Sequence, residues 1–482
     1  MTPTSSFKVT TTTTSQAPTS TSSPSSSPSS SPSVSSKYVI AHFMVGNSYP
    51  YTVDNWLADI FLAHSSGIDG FALNVGVDTW QPSQVANAYQ AALQSGTGFK
   101  LFMSFDMTSL PCTTASNAAT LRTYITTYAT HPNQLIYNGR VMASSFSGET
   151  CTFGQGSVAS GWSTQFVQQL TGSSAVHFVP SFFVDPSQFN TYSGVIDGMF
   201  NWNSGWPIQV TASFVSSIPG LVGDIASGLS SSVSSLLSNL IGSTSTDETY
   251  ISSLAAMGGG RTYMAAVSPW FFTHYGPSTY NKNWIYLSDE HLYATRWESL
   301  IKVRDQVDLV QIISWNDYGE SHYVGPIEGG QPMSQAWVDG NDHTGWLNLT
   351  SYYASAFKTG TYPTPTKDQL IMWSRPHPAS ASASNDPVGK PTNYQITTDT
   401  VWAVVLATSP ATVILSTSSS QSQTFNVPAG VSKLAVPISA GGTMHGTLIR
   451  GGQTVIDLQA PNFTFEANPT TYNFNVQVVA SP

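Results

Sequence analysis

Charged side chains are scarce: Asp, Glu, Lys and Arg make up 9% of the 482 residues, against roughly 25% in an ordinary globular chain. The 16 Lys and Arg face 26 Asp and Glu, a formal net charge of -10, and form no basic stripe. Nucleic acid is excluded as a partner on that ground, since each phosphate contact needs a cation. No run of 18 uncharged apolar residues occurs, so membrane insertion is not expected. Also missing are G-x-G-x-x-G after a strand, G-x-x-x-x-G-K-[ST], G-x-S-x-G and H-E-x-x-H, which removes the sequence support for the commonest nucleotide, serine-hydrolase and zinc-peptidase chemistries. The ten histidines are scattered, and neither a metal nor an organic cofactor is expected.

Cysteine is nearly absent as well. Cys112 and Cys151, with 38 residues between them, each follow a predicted strand. If the strands are parallel neighbours their exit loops are adjacent, so a disulfide and an oxidising compartment are expected. The first 36 residues contain 29 Ser, Thr or Pro, too little apolar surface to offset the entropy of ordering, and typical of O-glycosylated secreted segments. Residues 1–36 read as a disordered tether. The opening MTPTSSFKVTTTTT has no apolar h-region, which leaves three accounts: a signal already removed, an incomplete start, or an intracellular or spore-associated protein. The cysteine pair and two Asn-x-Ser/Thr triplets, at Asn348 and Asn462, favour a secreted or wall-associated protein.

What is abundant is aromatic: 13 Trp, 21 Tyr and 23 Phe, enough for a large core and for rings left over to line a site. From Lys37 onward, apolar runs at 38–43, 70–74, 100–105, 140–144, 177–184, 194–200, 262–267 and 307–314 alternate with helical patterns at 53–66, 82–94, 115–130 and 288–303. Near-continuous apolar runs mark strands covered on both faces. Eight of them with helical crossovers predict a (β/α)8 TIM barrel over residues 37–365, with a doubly wound sheet as the alternative. An insertion at 213–245 places Val222, Ile225, Leu229, Val233 and Leu236 at helical spacing, an amphipathic segment expected to pack over the barrel rim. A polar, proline-rich connection follows residue 357. Short Val/Ile/Thr/Phe runs from 394 onward predict a β-sandwich, and the accessory domain with its linker is placed at 366–482.

In a barrel the active site lies where strands end. Polar or aromatic residues stand at these exits: His42 after the first run, Asn74 after the second, Asp106 after the third, Glu149 after the fourth, Asp185 after the fifth, Trp202 after the sixth, Trp270 and His274 after the seventh. Singly, each is equally well explained as a loop cap; together they are expected to line a substrate cleft. The densest cluster, SWNDYGESHY at 314–323, adds Trp315, Asn316, Asp317, Tyr318, Glu320 and His322. Two carboxylates beside flat rings are the kit of glycoside hydrolysis, in which one acid protonates the leaving oxygen and a second activates water or attacks the sugar carbon. Gly319 is expected to let the backbone turn so that both acids face one cleft.

Several longer segments occur in one order: AHFMVGN (41–47), DGFALNVG (69–76), FDM (105–107), VSPWFFTHYG (267–276), YNKNW (280–284) and QIISWNDYGESHYVGPI (311–327). In these the chain resembles the fungal α-1,3-glucanases, or mutanases, of glycoside hydrolase family 71. The resemblance implies a (β/α)8 catalytic domain with an accessory β-sandwich that hydrolyses α-1,3-glucan, mainly endo and with inversion. It also implies that Asp317, Glu320 and Asp106 carry catalysis. Glu320 is expected as general acid, Asp317 as general base and Asp106 as an aid to water or to the oxocarbenium ion, the last two being interchangeable. A monomer without cofactor is expected. The alternatives are a glycosidase of another glucan linkage and a noncatalytic glucan-binding wall protein.

Overall fold

All eight expected strands form. In the computed structural model, which describes residues 37–217 and 239–482, they are β1 (Tyr38–Met44), β2 (Gly70–Val75), β3 (Lys100–Asp106), β4 (Arg140–Phe146), β5 (Val176–Phe178), β6 (Gly198–Asn201), β7 (Thr262–Val267) and β8 (Leu309–Ile312). They pair in parallel in the order β5-β4-β3-β2-β1-β8-β7-β6. Burial on both faces accounts for their composition. Val39, Ala41 and Phe43 of β1 join the core beneath the helices, while the alternate residue Ile40, with Ala72, Phe102, Met142, Met264 and Leu309, fills a second core inside the curve.

The crossover helices begin and end on recognisable signals. α1 (Val53–Ser65) starts at Thr52, whose side chain accepts the Asn55 N–H while Asn55 accepts the Thr52 N–H, and it buries Trp56, Ile60 and Ala63 on one face. α2 (Gln81–Ser95) has Pro82 in its first turn and stops at Gly96, whose φ of 63° is left-handed. α3 (Ala115–Tyr128) is capped by Thr114, and α4 (Val158–Gln165) by Ser157. α5 (Ser245–Ala256) docks on α6 (Leu292–Lys302) through Asp247, fully buried, which takes a bidentate pair from Arg296 at 2.6 and 2.7 Å and the Tyr263 hydroxyl at 2.5 Å. α7 (Trp346–Thr359) completes the outer layer.

A closed (β/α)8 TIM barrel is not what these elements build. Closure needs a ladder between β5 and β6, and there is none: the sheet is a curved, open half-barrel. The cause is local. The run 177–184 contains Pro180, which has no N–H to donate, and β5 ends at Phe178. The Phe178 N–H goes instead to the Asp197 carboxylate at 2.9 Å. Two isolated backbone hydrogen bonds, Asp197 N–H to Phe178 O and Phe200 N–H to Pro180 O, both 2.8 Å, cross the seam.

Downstream lie β9 (Gln369–Ser374), β10 (Thr400–Ala407), β11 (Ala411–Ser418), β12 (Gln421–Val427), β13 (Gly430–Pro437), β14 (His445–Arg450), β15 (Gln453–Gln459) and β16 (Gln477–Ala480). They form two antiparallel sheets, β13-β10-β9-β16 and β12-β11-β14-β15, that share a core of Leu370, Val405, Val413, Leu415 and Leu448. β9 falls in the stretch read from sequence as polar connection, because its QLIMWS run is short and flanked by proline. The other face of the first sheet merges with the half-barrel: Ile371, Trp373 and Trp402 belong to the same apolar cluster as the crossover helices, and residues 37–482 form one compact unit.

The disulfide forms between Cys112 and Cys151, Cα atoms 5.1 Å apart, and joins the loops that leave β3 and β4. The amphipathic stretch expected within 213–245 lies mostly at 218–238, outside the described residues, as does the tether at 1–36.

Candidate active site

The inner face of the half-barrel changes character along the strands. Two residues beyond the apolar inner layer, on the same face, stand His42, Asn74, Ser104, Ser144 and Gln311, all buried. One further step along β3 brings Asp106 to the rim. This polar floor sits under the loop that leaves β8.

That loop is tied down residue by residue. Asn316 binds the β1 backbone, its Oδ1 accepting the Met44 N–H at 2.7 Å and its Nδ2 donating to the Met44 carbonyl at 3.1 Å. The next residue, Asp317, donates its backbone N–H to Ser314 Oγ at 2.8 Å and opens a 3-10 turn, Tyr318–Glu320. Gly319 serves close packing rather than an unusual φ: a Cβ there would strike the Tyr275 hydroxyl.

Glu320 receives a donor on each oxygen. Lys282 Nζ lies 2.9 Å from Oε1 and His322 Nε2 lies 3.1 Å from Oε2. The other ring nitrogen of His322 is 3.0 Å from Ser314 Oγ. With the Ser314 hydroxyl donating to Nδ1, the imidazole presents Nε2–H to Glu320, and every partner is satisfied. Asp317 Oδ2 is 3.7 Å from the same Nε2. The two carboxylates are electrostatically unlike. Burial pushes Asp317 up to about 6, against the pull of His322 and Lys282. For Glu320 burial acts in the same direction but is outweighed by the His322 and Lys282 contacts, which hold it at about 2. Of the two, Asp317 is the carboxyl that keeps its proton to higher pH. Their side chains remain 15% and 19% exposed, enough for a sugar oxygen to reach them.

One ligand-type atom from each of Asp317, Glu320 and His322 falls within a 4.8 Å group. The Lys282 ammonium already supplies the positive charge a cation would bring, and we read the group as an ion-paired cluster. A cavity of about 940 Å³ bounded by Glu290, His291, Tyr394, Trp402 and Lys433 lies elsewhere, and none of these carboxylates lines it.

The remaining expected residues divide by what they touch. His42 packs edge-on against Trp202 at 4.8 Å and lies 3.2 Å from Gln311 Nε2; burial, with His322 nearby, lowers it to about 3. Trp202 also faces His322 at 6.4 Å, so His42, Trp202, Asp317, Glu320 and His322 come together. Asp106 accepts the Thr108 N–H and hydroxyl at 3.0 and 2.6 Å and, like Asp317, adds to the field that raises Lys282. Asn74 is buried on β2 beside Ser104 of β3. Glu149 accepts from Ser147 and from the Phe183 N–H, joining the loops after β4 and β5. Asp185 caps a turn through Ser187 and is lowered by those bonds.

Four expected contact residues spend their polar atoms within the protein. Trp270 donates to the Phe474 carbonyl, His274 contacts Asn283 and Asp386, Tyr318 donates to the Pro326 carbonyl, and Asn316 binds β1. Trp315 is fully buried against Phe71. They build the walls behind the carboxylates.

Sequence reasoning passed over Lys282, Ser314 and Gln311. The signal for Lys282 was its rarity: one of 16 basic residues, set among aromatic residues in YNKNW. Inward parity on β8 marks Gln311.

Over 444 residues the chain is 36% identical to a glucan endo-1,3-α-glucosidase of Schizosaccharomyces pombe, covering 92% of this chain and 94% of that protein. It is 33% identical over 447 residues to a mutanase of Penicillium rubens, covering 92% and 88%, and 33% identical over 457 residues to an ascus wall endo-1,3-α-glucanase of S. pombe, covering 91% and 96%. The profile of Glycosyl hydrolase family 71 matches residues 35–482, and the chain belongs to that family.

Proposed function

We propose that this protein is an endo-acting hydrolase of α-1,3-glucan. The observation that carries the reading is the division of contacts between two adjacent, partly exposed carboxylates, Glu320 paired with the Lys282 ammonium at 2.9 Å and Asp317 outside that pair, within a family of glycosyl hydrolases whose relatives are named for this linkage. The division favours roles different from those expected from the motif. Asp317, holding a proton to about pH 6, is the acid that protonates the leaving oxygen. Glu320 is the fixed negative charge that stabilises the oxocarbenium-like transition state. An inverting pair needs ~6.5 to 9.5 Å for water between its carboxyl groups, and Asp317 and Glu320 approach within 4.8 Å. The base is therefore assigned to Asp106, at the rim of another strand and within the field of Lys282. We also read residues 37–365 as the catalytic part and 366–482 as accessory, and take the protein to act as a secreted monomer on wall glucan.

Incubation with α-1,3-, α-1,4- and β-1,3-glucans tests the substrate. Oligosaccharides from the α-1,3 polymer alone, in a spread of sizes, are expected; release only from another linkage overturns the assignment. NMR of the first product decides the chemistry. A β reducing end supports Asp106 as base, whereas an initial α anomer identifies Glu320 as a nucleophile in a retaining reaction.

A further inference from the structure

Lys282 reaches the carboxylates from a separate part of the chain. It sits at the end of a two-stranded hairpin, Phe272–His274 with Asn283–Ile285, which rises from the loop after β7. Its carbonyl accepts the Tyr275 N–H at 2.6 Å, which ties the two sides of the hairpin together at that end. The hairpin is not free-standing. The segment that leads from β9 to β10 lies along it: the Ile285 N–H donates to the Thr392 carbonyl and the Thr392 N–H to the Asn283 carbonyl, both at 3.0 Å. His274 spans Asn283 Oδ1 at 2.9 Å and Asp386 Oδ2 at 2.8 Å, and Asn283 Nδ2 donates to the Gly389 carbonyl at 3.1 Å. Asp386 is itself held by the Val388, Gly389 and Tyr472 N–H groups. The connection between β9 and β10 thus backs the hairpin behind the lysine through one parallel bridge, Trp284 with Thr392.

We propose that Lys282 is a positioning residue for the reaction: buttressed by residues 386–392, its ammonium keeps Glu320 ionised and so confines the shared proton to Asp317. This deepens the functional reading above and rests on it. The chemistry follows from charge alone. Two acids this close cannot both ionise cheaply, and a cation placed on one of them decides which. Lys282 Nζ touches Glu320 and not Asp317. The other titratable groups facing the cluster are Asp106 from β3, His42 from β1, His322 and Asp317 from the loop after β8, and Tyr275 and Tyr286 from the hairpin and its exit. Among these, His42 is held neutral by burial, so among the described residues the charge on Glu320 is balanced by the Lys282 ammonium, while His322 contributes a hydrogen bond. The antiparallel sheets then serve catalysis through a strut, without touching substrate.

The test compares the wild type with Lys282→Met, Lys282→Gln and Lys282→Arg. Carboxyl ¹³C NMR of Glu-labelled protein, with Glu320→Gln to assign the signal, reads the Glu320 titration directly. Loss of the cation is expected to raise it by about one unit or more, and Lys282→Arg to leave it low. On a soluble α-1,3-oligosaccharide the neutral variants should lose about 100-fold in kcat with KM changed less than about threefold, and the alkaline limb of the pH profile should move to higher pH. A Glu320 titration unmoved in the neutral variants overturns the proposal, as does a kcat loss without movement of that limb. If both neutral variants fail to fold while Lys282→Arg folds, the role is structural and the proposal falls. A wild type that does not cleave α-1,3-glucan removes the functional reading, while the Glu320 titration still decides what Lys282 does.

Discussion

Asn316 substitutes for a strand where β1 and β8 part. Their ladder ends at Ala41 and Ile312, and beyond it the Asn316 side-chain amide takes both polar groups of the Met44 backbone. The acid Asp317 is the next residue, so its place is set by a bond between the first strand and the last.

Replacing Asn316 by Ala leaves the part-buried Met44 N–H and carbonyl without their side-chain partner. A fully buried unpaired group costs about 1 to 3 kcal/mol; for two groups with partial access to water a loss of roughly 2 to 4 kcal/mol in a urea titration is expected, together with a fall in kcat as Asp317 loses its register. Full stability with full activity would show that water replaces the amide.

The pH dependence follows from the two carboxyls. Asp317 must hold its proton to act as acid, and its value is about 6; kcat/KM should therefore fall tenfold per unit as pH rises beyond about 6. Glu320, at about 2, is ionised through the whole working range and adds no limb above pH 3. A profile recorded from pH 3 to 8 checks this, and a rate still rising at pH 7.5 excludes Asp317 as the proton donor.

Asp59 predicts a second pH effect, on stability. It is 1% exposed on α1, accepts the Tyr51 hydroxyl at 2.8 Å, and burial pushes it up to about 7. The folded state binds this proton more tightly than the unfolded chain, whose value is near 3.8. Its stabilising contribution is therefore complete below pH 3.8 and is lost as pH rises through 7. Denaturation midpoints should fall across that window, and Asp59→Asn, which keeps the shape without the charge, should flatten the slope between pH 4 and 7.

The strands were legible because burial on both faces writes itself as apolar runs, and the carboxylate cluster because charge is rare in this chain. Closure was not legible. It depends on whether two strands exchange hydrogen bonds, and one proline in the run HFVPSFFV, with an aspartate taking the neighbouring N–H, decides the matter. Proximity to a strand exit placed His42, Trp202 and His322 in the cluster, yet said nothing of which way a side chain turns after the strand ends. Trp270, Trp315 and Tyr318 turn inward. Lys282 was hidden for another reason: it meets Glu320 across 38 residues, through a hairpin held by a segment more than a hundred residues further on.

The seam between β5 and β6 gives the half-barrel a direction of opening. In a closed ring of strands every amide of the inner ladder is protected by neighbours on both sides; here Val176–Phe178 and Gly198–Asn201 each have one parallel ladder only. Their amides should exchange with solvent deuterium ahead of those in β1, β2 and β8, because separating them breaks two isolated backbone bonds instead of a continuous ladder. Breathing of the sheet is thereby directed away from the strands that carry the β1–β8 brace and the catalytic turn, and the chemistry sits on the side that exchanges last.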